Sequence, residues 1–301
     1  MERARRKLVL IGSNGMLASA IRRLVSEERY ELSPFDLPEF DLSDPELVRR
    51  VLAGVGPDII LNCAAYTDVD GCEAREELAT AANGRGPGHL ARAALELGAT
   101  LVHLSTDYIF DGTKRSPYVE DDPPNPQSAY GRSKLLGERQ ILESGLDRFY
   151  IVRTSWLYGP NGKNFVETIA RLAREREELR IVADQTGSPT HTADLAQALY
   201  TLLDFEDGNT SRGPAYGLYH FSNEGACTWF DFACAIVERL RRAGQPVRVQ
   251  RVLPIGTEEY PLPAKRPAYS VLSKDKYREA TGTTVPGWEE SLGRYFEDRN
   301  A

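Results

Sequence analysis

Short, nearly continuous apolar runs alternate along the first half of the chain with stretches whose apolar residues recur every three or four positions. Lys7–Ile11, Asp58–Cys63 and Thr100–Ser105 read as strands buried on both faces; Tyr150–Thr154 and a run ending near Phe35 and Asp36 read as further strands. Between them Met16–Ser26, Pro45–Leu52, Glu77–Leu97 and Ser128–Ser144 show helical spacing, and Asp44 is placed to cap a helix that opens on Pro45. Strands separated by helices predict βαβ units. The expected fold is therefore α/β: a Rossmann-type, doubly wound parallel sheet.

The second half is less regular. Asn164–Arg180, Thr192–Leu203 and Thr228–Ala243 predict helices, Gln245–Val252 a strand, and the Pro- and Gly-punctuated run Pro254–Pro267 little regular structure. The expected organisation is a dinucleotide-binding domain over 1–155, rejoined by about 192–220. A smaller C-terminal substrate-binding region would comprise 156–191 and 221–301.

Composition narrows the classes of partner. The chain has 301 residues, 41% of them hydrophobic, so it can bury a large core. Its net charge of −7 argues against nucleic acid, which needs clustered Lys and Arg. No run approaches the ~18 consecutive apolar residues of a membrane helix. The basic start, Met1–Lys7, leads into an apolar run too short for a signal peptide, and reads as a solvated tail. Cys63, Cys72, Cys227 and Cys234 show no CxxC spacing and predict reduced, mostly buried thiols. The expectation is a cytoplasmic protein.

Three motifs carry chemistry. Gly12-Ser13-Asn14-Gly15-Met16-Leu17-Ala18 lies at the first strand-to-helix turn, where glycine permits a tight turn and lets backbone approach a pyrophosphate at a helix N-terminus. Asp36, at the end of the second strand, is placed to bind ribose hydroxyls and to repel a 2′-phosphate, which favours NADH. Tyr130 and Lys134 are four apart on one helical face, so a lysine charge and a cationic nicotinamide would draw the phenol toward its working pH. Thr106 ends a strand, where open parallel sheets bind ligands, and can hydrogen-bond a carbonyl beside Tyr130. Each signal is weak alone; their order on alternating strands and helices makes them one.

Together with four further runs, these residues resemble the extended short-chain dehydrogenases/reductases, and among them the dTDP-4-dehydrorhamnose reductases. The carrying segments are GSNGMLA (Gly12–Ala18), NCAAYTDVDGCE (Asn62–Glu73), STDYIFDG (Ser105–Gly112), YGRSK (Tyr130–Lys134), RTSWLYG (Arg153–Gly159), DQTGSPT (Asp184–Thr190) and RPAYSVL (Arg266–Leu272). The resemblance implies reduction of the C4 keto group of dTDP-4-keto-6-deoxy-L-mannose by NADPH or NADH. Gly12, Asn14, Gly15, Met16 and Leu17 would bind the pyrophosphate, Asp41 and Leu42 would lie near the adenine, and Ala64, Ala65 and Thr67 along the nicotinamide half. Tyr130 would protonate the C4 oxygen, Lys134 would hold the nicotinamide ribose, Thr106 would polarise the carbonyl, and Asp107 and Trp156 would meet the sugar. Asn164, Phe165, Gln185 and Arg266 would line the nucleotide-sugar pocket. A homodimer is also implied. Some relatives hold Mg²⁺ through carboxylates at a dimer contact; no residue of this sequence is assigned to it.

Departures from the family pattern are Ala18 in the turn, Cys63 in place of alanine, and Gly84-Arg85-Gly86 within a predicted helix. Nucleotide-sugar 4,6-dehydratases and 4-epimerases share the expected fold. The dehydratases place a Glu after the Thr-Asp pair, where this chain has Tyr108. A non-catalytic relative, the regulatory subunit of methionine adenosyltransferase, would not require Thr106, Tyr130 and Lys134 together.

Overall fold

Apolar residues on β1 (Arg6–Ile11) alternate between the two faces of a sheet. Leu8 and Leu10 join one core with α1 (Met16–Leu24) and α8 (Thr192–Glu206). Val9 and Ile11 join another with α2 (Pro45–Val55) and α5 (Gly86–Leu97). The computed structural model describes residues 5–206 and 214–300. Most of the expected tail, Met1–Ala4, and part of the 192–220 segment lie outside the described residues.

The sheet is wholly parallel. Its order is β10 (Gly217–His220), β5 (Phe149–Thr154), β4 (Thr100–Thr106), β3 (Ile59–Asn62), β1 and β2 (Tyr30–Phe35). Pro34 is tolerated in β2 because that strand is at the edge. The expected α/β class and doubly wound sheet are both present. Between β3 and α5 run α3 (Val69–Ala74), α4 (Glu76–Ala79) and a π-helical stretch, Thr80–Arg85. The predicted helix over Glu77–Leu97 is thus one rod with a wide turn beside Gly84 and Gly86.

A third core gathers α7 (Phe165–Glu175), α9 (Trp229–Arg242) and α11 (Trp288–Asn300) with β7 (Glu178–Val182). Two-residue strands β6 (Leu157–Tyr158), β8 (Thr186–Gly187), β9 (Thr190–His191) and β11 (Cys227–Thr228) link this region together, and α10 (Asp275–Thr281) packs by β10. Here the sequence expectation fails in part. The helix predicted over Asn164–Arg180 stops at Glu175, because the next residues alternate and pair in parallel with β12 (Arg251–Ile255). The strand predicted over Gln245–Val252 is displaced toward the carboxyl end for the same reason, and takes in Pro254.

Helix α6 (Ala129–Leu142), capped by Ser128, packs on β4 and against the π-helical stretch. Its Glu138 is buried at 1% exposure, accepts a hydrogen bond from Ser105 of β4, and takes two bonds from Arg153 of β5, at 3.0 and 2.7 Å. Breaking such a pair leaves a buried charge uncompensated. Glu138→Gln should therefore lower the unfolding free energy by about 3–5 kcal/mol in urea titrations. A loss under about 1 kcal/mol, the value of an exposed pair, would mean that the clamp contributes little.

Candidate active site

Gly12, Ala64 and Trp156 follow the carboxyl ends of β1, β3 and β5, and Thr106 ends β4. At β1, Gly12 has φ +75°, and a Cβ there would lie 2.6 Å from the Ala64 nitrogen. Only glycine fits, because both the conformation and the close approach exclude a side chain. The Gly12 and Ser13 amides donate to the Phe35 carbonyl, at 2.9 and 3.1 Å, which ties the turn to β2. Helix α1 begins at Gly15 with no side-chain cap, so its first amides and dipole are presented toward the turn. Asp36 accepts the Asn14 amide at 2.7 Å and the Leu37 amide at 2.8 Å. Its carboxylate thus braces the turn between Gly12 and Gly15.

Met16 and Leu17 open α1. Asp41 closes a local turn through Ser43, and the Leu42 carbonyl contacts His89 Nδ1 at 2.8 Å. Ala64, Ala65 and Thr67 lie in the segment after β3. That segment depends on a residue the sequence reading missed, Asn83, which is 1% exposed. Asn83 accepts the Tyr66 amide at 2.7 Å, donates to the Tyr66 carbonyl at 3.0 Å and reaches Ser133 at 3.1 Å. A lone Asn beside Gly84 in an Ala-rich helix was the available signal.

Thr106, Asp107, Tyr130 and Lys134 are brought together. The Thr106 hydroxyl donates to Asp107 Oδ1 at 3.1 Å, accepts the Tyr108 amide at 3.2 Å, and lies near enough to the Tyr130 phenol to act on its ionisation. Tyr130 also meets the Tyr108 ring edge-to-face at 5.6 Å. Its pKa is raised, first by burial and then by Asp107, against the lowering effect of Thr106. Lys134 is not among the groups that act on the phenol within the protein alone. Lys134 Nζ points to the Leu104 carbonyl, at 2.6 Å, and burial lowers its own pKa to about 8. Within the protein alone the phenol is held protonated.

The other candidates are distributed around this centre. Trp156, with φ +47°, stacks on Trp229 at 3.4 Å, and Phe165 leans on Trp229 at 4.6 Å. Asn164 caps α7 and also contacts Met16 Sδ at 3.4 Å, which places it beside the phosphate turn. Gln185 donates to Thr257 at 2.9 Å. Arg266 forms a bidentate pair with Asp70, at 3.0 and 2.7 Å, and this holds the carboxyl of Asp70 below its usual range. The pair straps the segment before Arg266 to α3.

All four cysteines are free; Cys72 and Cys227 are buried, while Cys63 and Cys234 are partly so. Burial pushes the Cys63 thiol up to about 12. Among the described residues, no group of three or more His, Cys, Asp or Glu is arranged to hold a metal ion, and no helix is long and apolar enough to cross a membrane.

Asp107 is 1% exposed, and its Oδ2 has no hydrogen-bond partner among the described residues. Burial pushes its pKa up to about 6. The folded protein therefore holds this proton more tightly than the unfolded chain, and the resulting stability is lost as pH rises through about 6. Asp107→Asn should gain stability relative to the parent by about 2–3 kcal/mol between about pH 4 and pH 6, then stay level. Denaturation curves across that range with no such divergence would refute the assignment.

A family model described as the RmlD substrate binding domain matches residues 6–300. A dTDP-4-dehydrorhamnose reductase of Burkholderia thailandensis is 41% identical over 295 residues, covering 97% of this chain and 98% of the relative. The spore coat polysaccharide biosynthesis protein SpsK of Bacillus subtilis is also 41% identical over 295 residues, covering 98% of each. The crystal structure of dTDP-4-dehydrorhamnose reductase from Bacillus anthracis in complex with NADP superposes with a TM-score of 0.90 at 39% identity, covering 98% of this chain and 100% of that one. The chain belongs to the dTDP-4-dehydrorhamnose reductase family of oxidoreductases.

Proposed function

We propose that this chain reduces the C4 keto group of dTDP-4-dehydro-L-rhamnose to give dTDP-L-rhamnose. The observation that carries the reading is the convergence of Thr106, Tyr130 and buried Lys134 at the carboxyl end of β4. The residues present fit a nicotinamide dinucleotide, since the Gly12 turn leads into α1, whose N-terminus has no side-chain cap and so offers its first amides to a phosphate. When bound, the reduced nicotinamide supplies a hydride to C4. Gly12, Asn14, Gly15, Met16 and Leu17 would hold its pyrophosphate, Asp41 and Leu42 would border the adenine, and Ala64, Ala65 and Thr67 would flank the nicotinamide half.

Tyr130 gives its proton to the C4 oxygen. Its raised pKa suits that direction, because reduction needs the phenol and not the phenolate. Thr106 orients the carbonyl oxygen, Lys134 holds the nicotinamide ribose, and Asp107 meets a sugar hydroxyl. Trp156 and Phe165 supply apolar walls, while Asn164 and Gln185 border the pocket. Arg266 meets the substrate diphosphate with the N–H groups left over from its pair with Asp70. The cofactor region comprises 1–155 with about 192–220, and the sugar region 156–191 and 221–301. A nucleotide-sugar substrate places the reaction in the cytoplasm. A homodimer belongs to the same reading through the family resemblance alone.

The reading is tested by following oxidation of NADH and NADPH with the keto sugar. Tyr130→Phe should lower kcat by at least about 10²-fold, the usual contribution of general acid catalysis, with cofactor affinity largely retained. Full activity in that variant, or tight cofactor binding by the parent without turnover, would overturn it. Asp36→Asn keeps the acceptor for the Asn14 amide but removes a charge. It should raise the NADPH-to-NADH ratio of kcat/KM by about tenfold, equivalent to about 1.4 kcal/mol. An unchanged ratio would remove Asp36 from cofactor choice.

A further inference from the structure

Behind Lys134 lies a buried chain of polar groups that the proposed reaction does not use. Asn62 of β3 and His103 of β4 are register partners, at 0% and 1% exposure. The Ala64 amide donates to Asn62 Oδ1 at 3.1 Å, which fixes the orientation of the Asn62 side chain. Its Nδ2 therefore faces His103 Nδ1, at 3.0 Å, as a donor. A ring nitrogen facing a donor presents a lone pair, so the neutral imidazole carries its proton on Nε2. That Nε2 lies 3.4 Å from Lys134 Nζ.

Lys134 is thus met on one side by the Leu104 carbonyl, an acceptor, and on the other by an N–H group. An ammonium has three donors and no lone pair, whereas a neutral amine can accept from Nε2–H. The His103 tautomer therefore favours the amine. The other titratable groups facing the lysine are Glu138 on α6 and Cys63 after β3, both of which favour the charged form, with Tyr130 one helical turn away. Burial outweighs these charges and brings Lys134 to about 8. Burial and Lys134 both hold His103 well below the ordinary histidine range, so it stays neutral.

We propose that His103, held in its Nε2–H tautomer by Asn62, is a positioning residue that sets the protonation state of Lys134. The role rests on the reading of Lys134 as the partner of Tyr130, and it can be tested without turnover. In His103→Leu the opposing N–H is gone. In Asn62→Asp the carboxylate accepts from Nδ1–H, which reverses the tautomer and turns a lone pair toward the ammonium.

The test is NMR of the full chain without cofactor, with labelled lysine and histidine, the Lys134 resonance being identified by its loss in Lys134→Arg. In the parent, the ¹⁵N shifts should report a protonated Nε2 on His103, and Lys134 should titrate near pH 8. In both variants the lysine midpoint should rise by about one pH unit. The basic limb of kcat should move with it, which a purely structural defect would not produce. A protonated Nδ1 in the parent overturns the proposal even if neither variant folds. A Lys134 midpoint unmoved in folded His103→Leu also overturns it. Failure of the reductase reading would look different: no cofactor oxidation, with the NMR titrations intact.

Discussion

The buried carboxylate of Glu138 joins three elements, and the position of the candidate site depends on that junction. It accepts from Ser105 of β4 and pairs with Arg153 of β5, while Lys134, one helical turn earlier, donates to Leu104 of β4. Two ionisable groups on one face of α6 are thus tied to consecutive residues of one strand. The helix cannot slide or rotate without breaking a charged bond where no solvent replaces it. Tyr130, in the first turn, is consequently held beside Thr106. Two glycines allow the approach: a Cβ at Gly131 would collide with the Tyr108 carbonyl, and one at Gly137 with that of Asn83.

The same close packing sets the chemistry. Removing water disfavours charge, so burial raises Tyr130 and Asp107 and lowers Lys134 and His103. Two acids are biased toward keeping their protons and two bases toward neutrality. For a reduction, which must deliver a proton to an oxygen, protonated acids are the useful forms. Under the proposed function, the glycine turn would work by the opposite means. An uncapped helix and a glycine turn present backbone N–H groups, through which an acidic chain would meet a polyanionic ligand without a basic surface.

Local signals explain what was legible. The strands of the first half could be read because both faces are buried, and Asp44, read as a cap, accepts the Glu46 and Leu47 amides. The second half was read less well. Glu178–Val182 resembles the end of a helix until β12 pairs with it, and no pattern within the run reveals that partner. Asn83, next to the Gly84-Arg85-Gly86 interruption, was not singled out, and it braces the segment after β3.

By itself, then, the sequence determined the α/β class, the order of phosphate turn, strand-end threonine and Tyr/Lys helix, and the family resemblance. Each of these is written in contiguous residues or a fixed periodicity. Only the tertiary structure decided that Arg266 pairs with Asp70, 196 positions away, and that Asn62 dictates which nitrogen of His103 holds its proton. It also decided that, within the protein alone, burial raises the Tyr130 phenol. Such outcomes depend on which distant groups share a dry space and how they are oriented, and that is set only when the sheet and helices close around them.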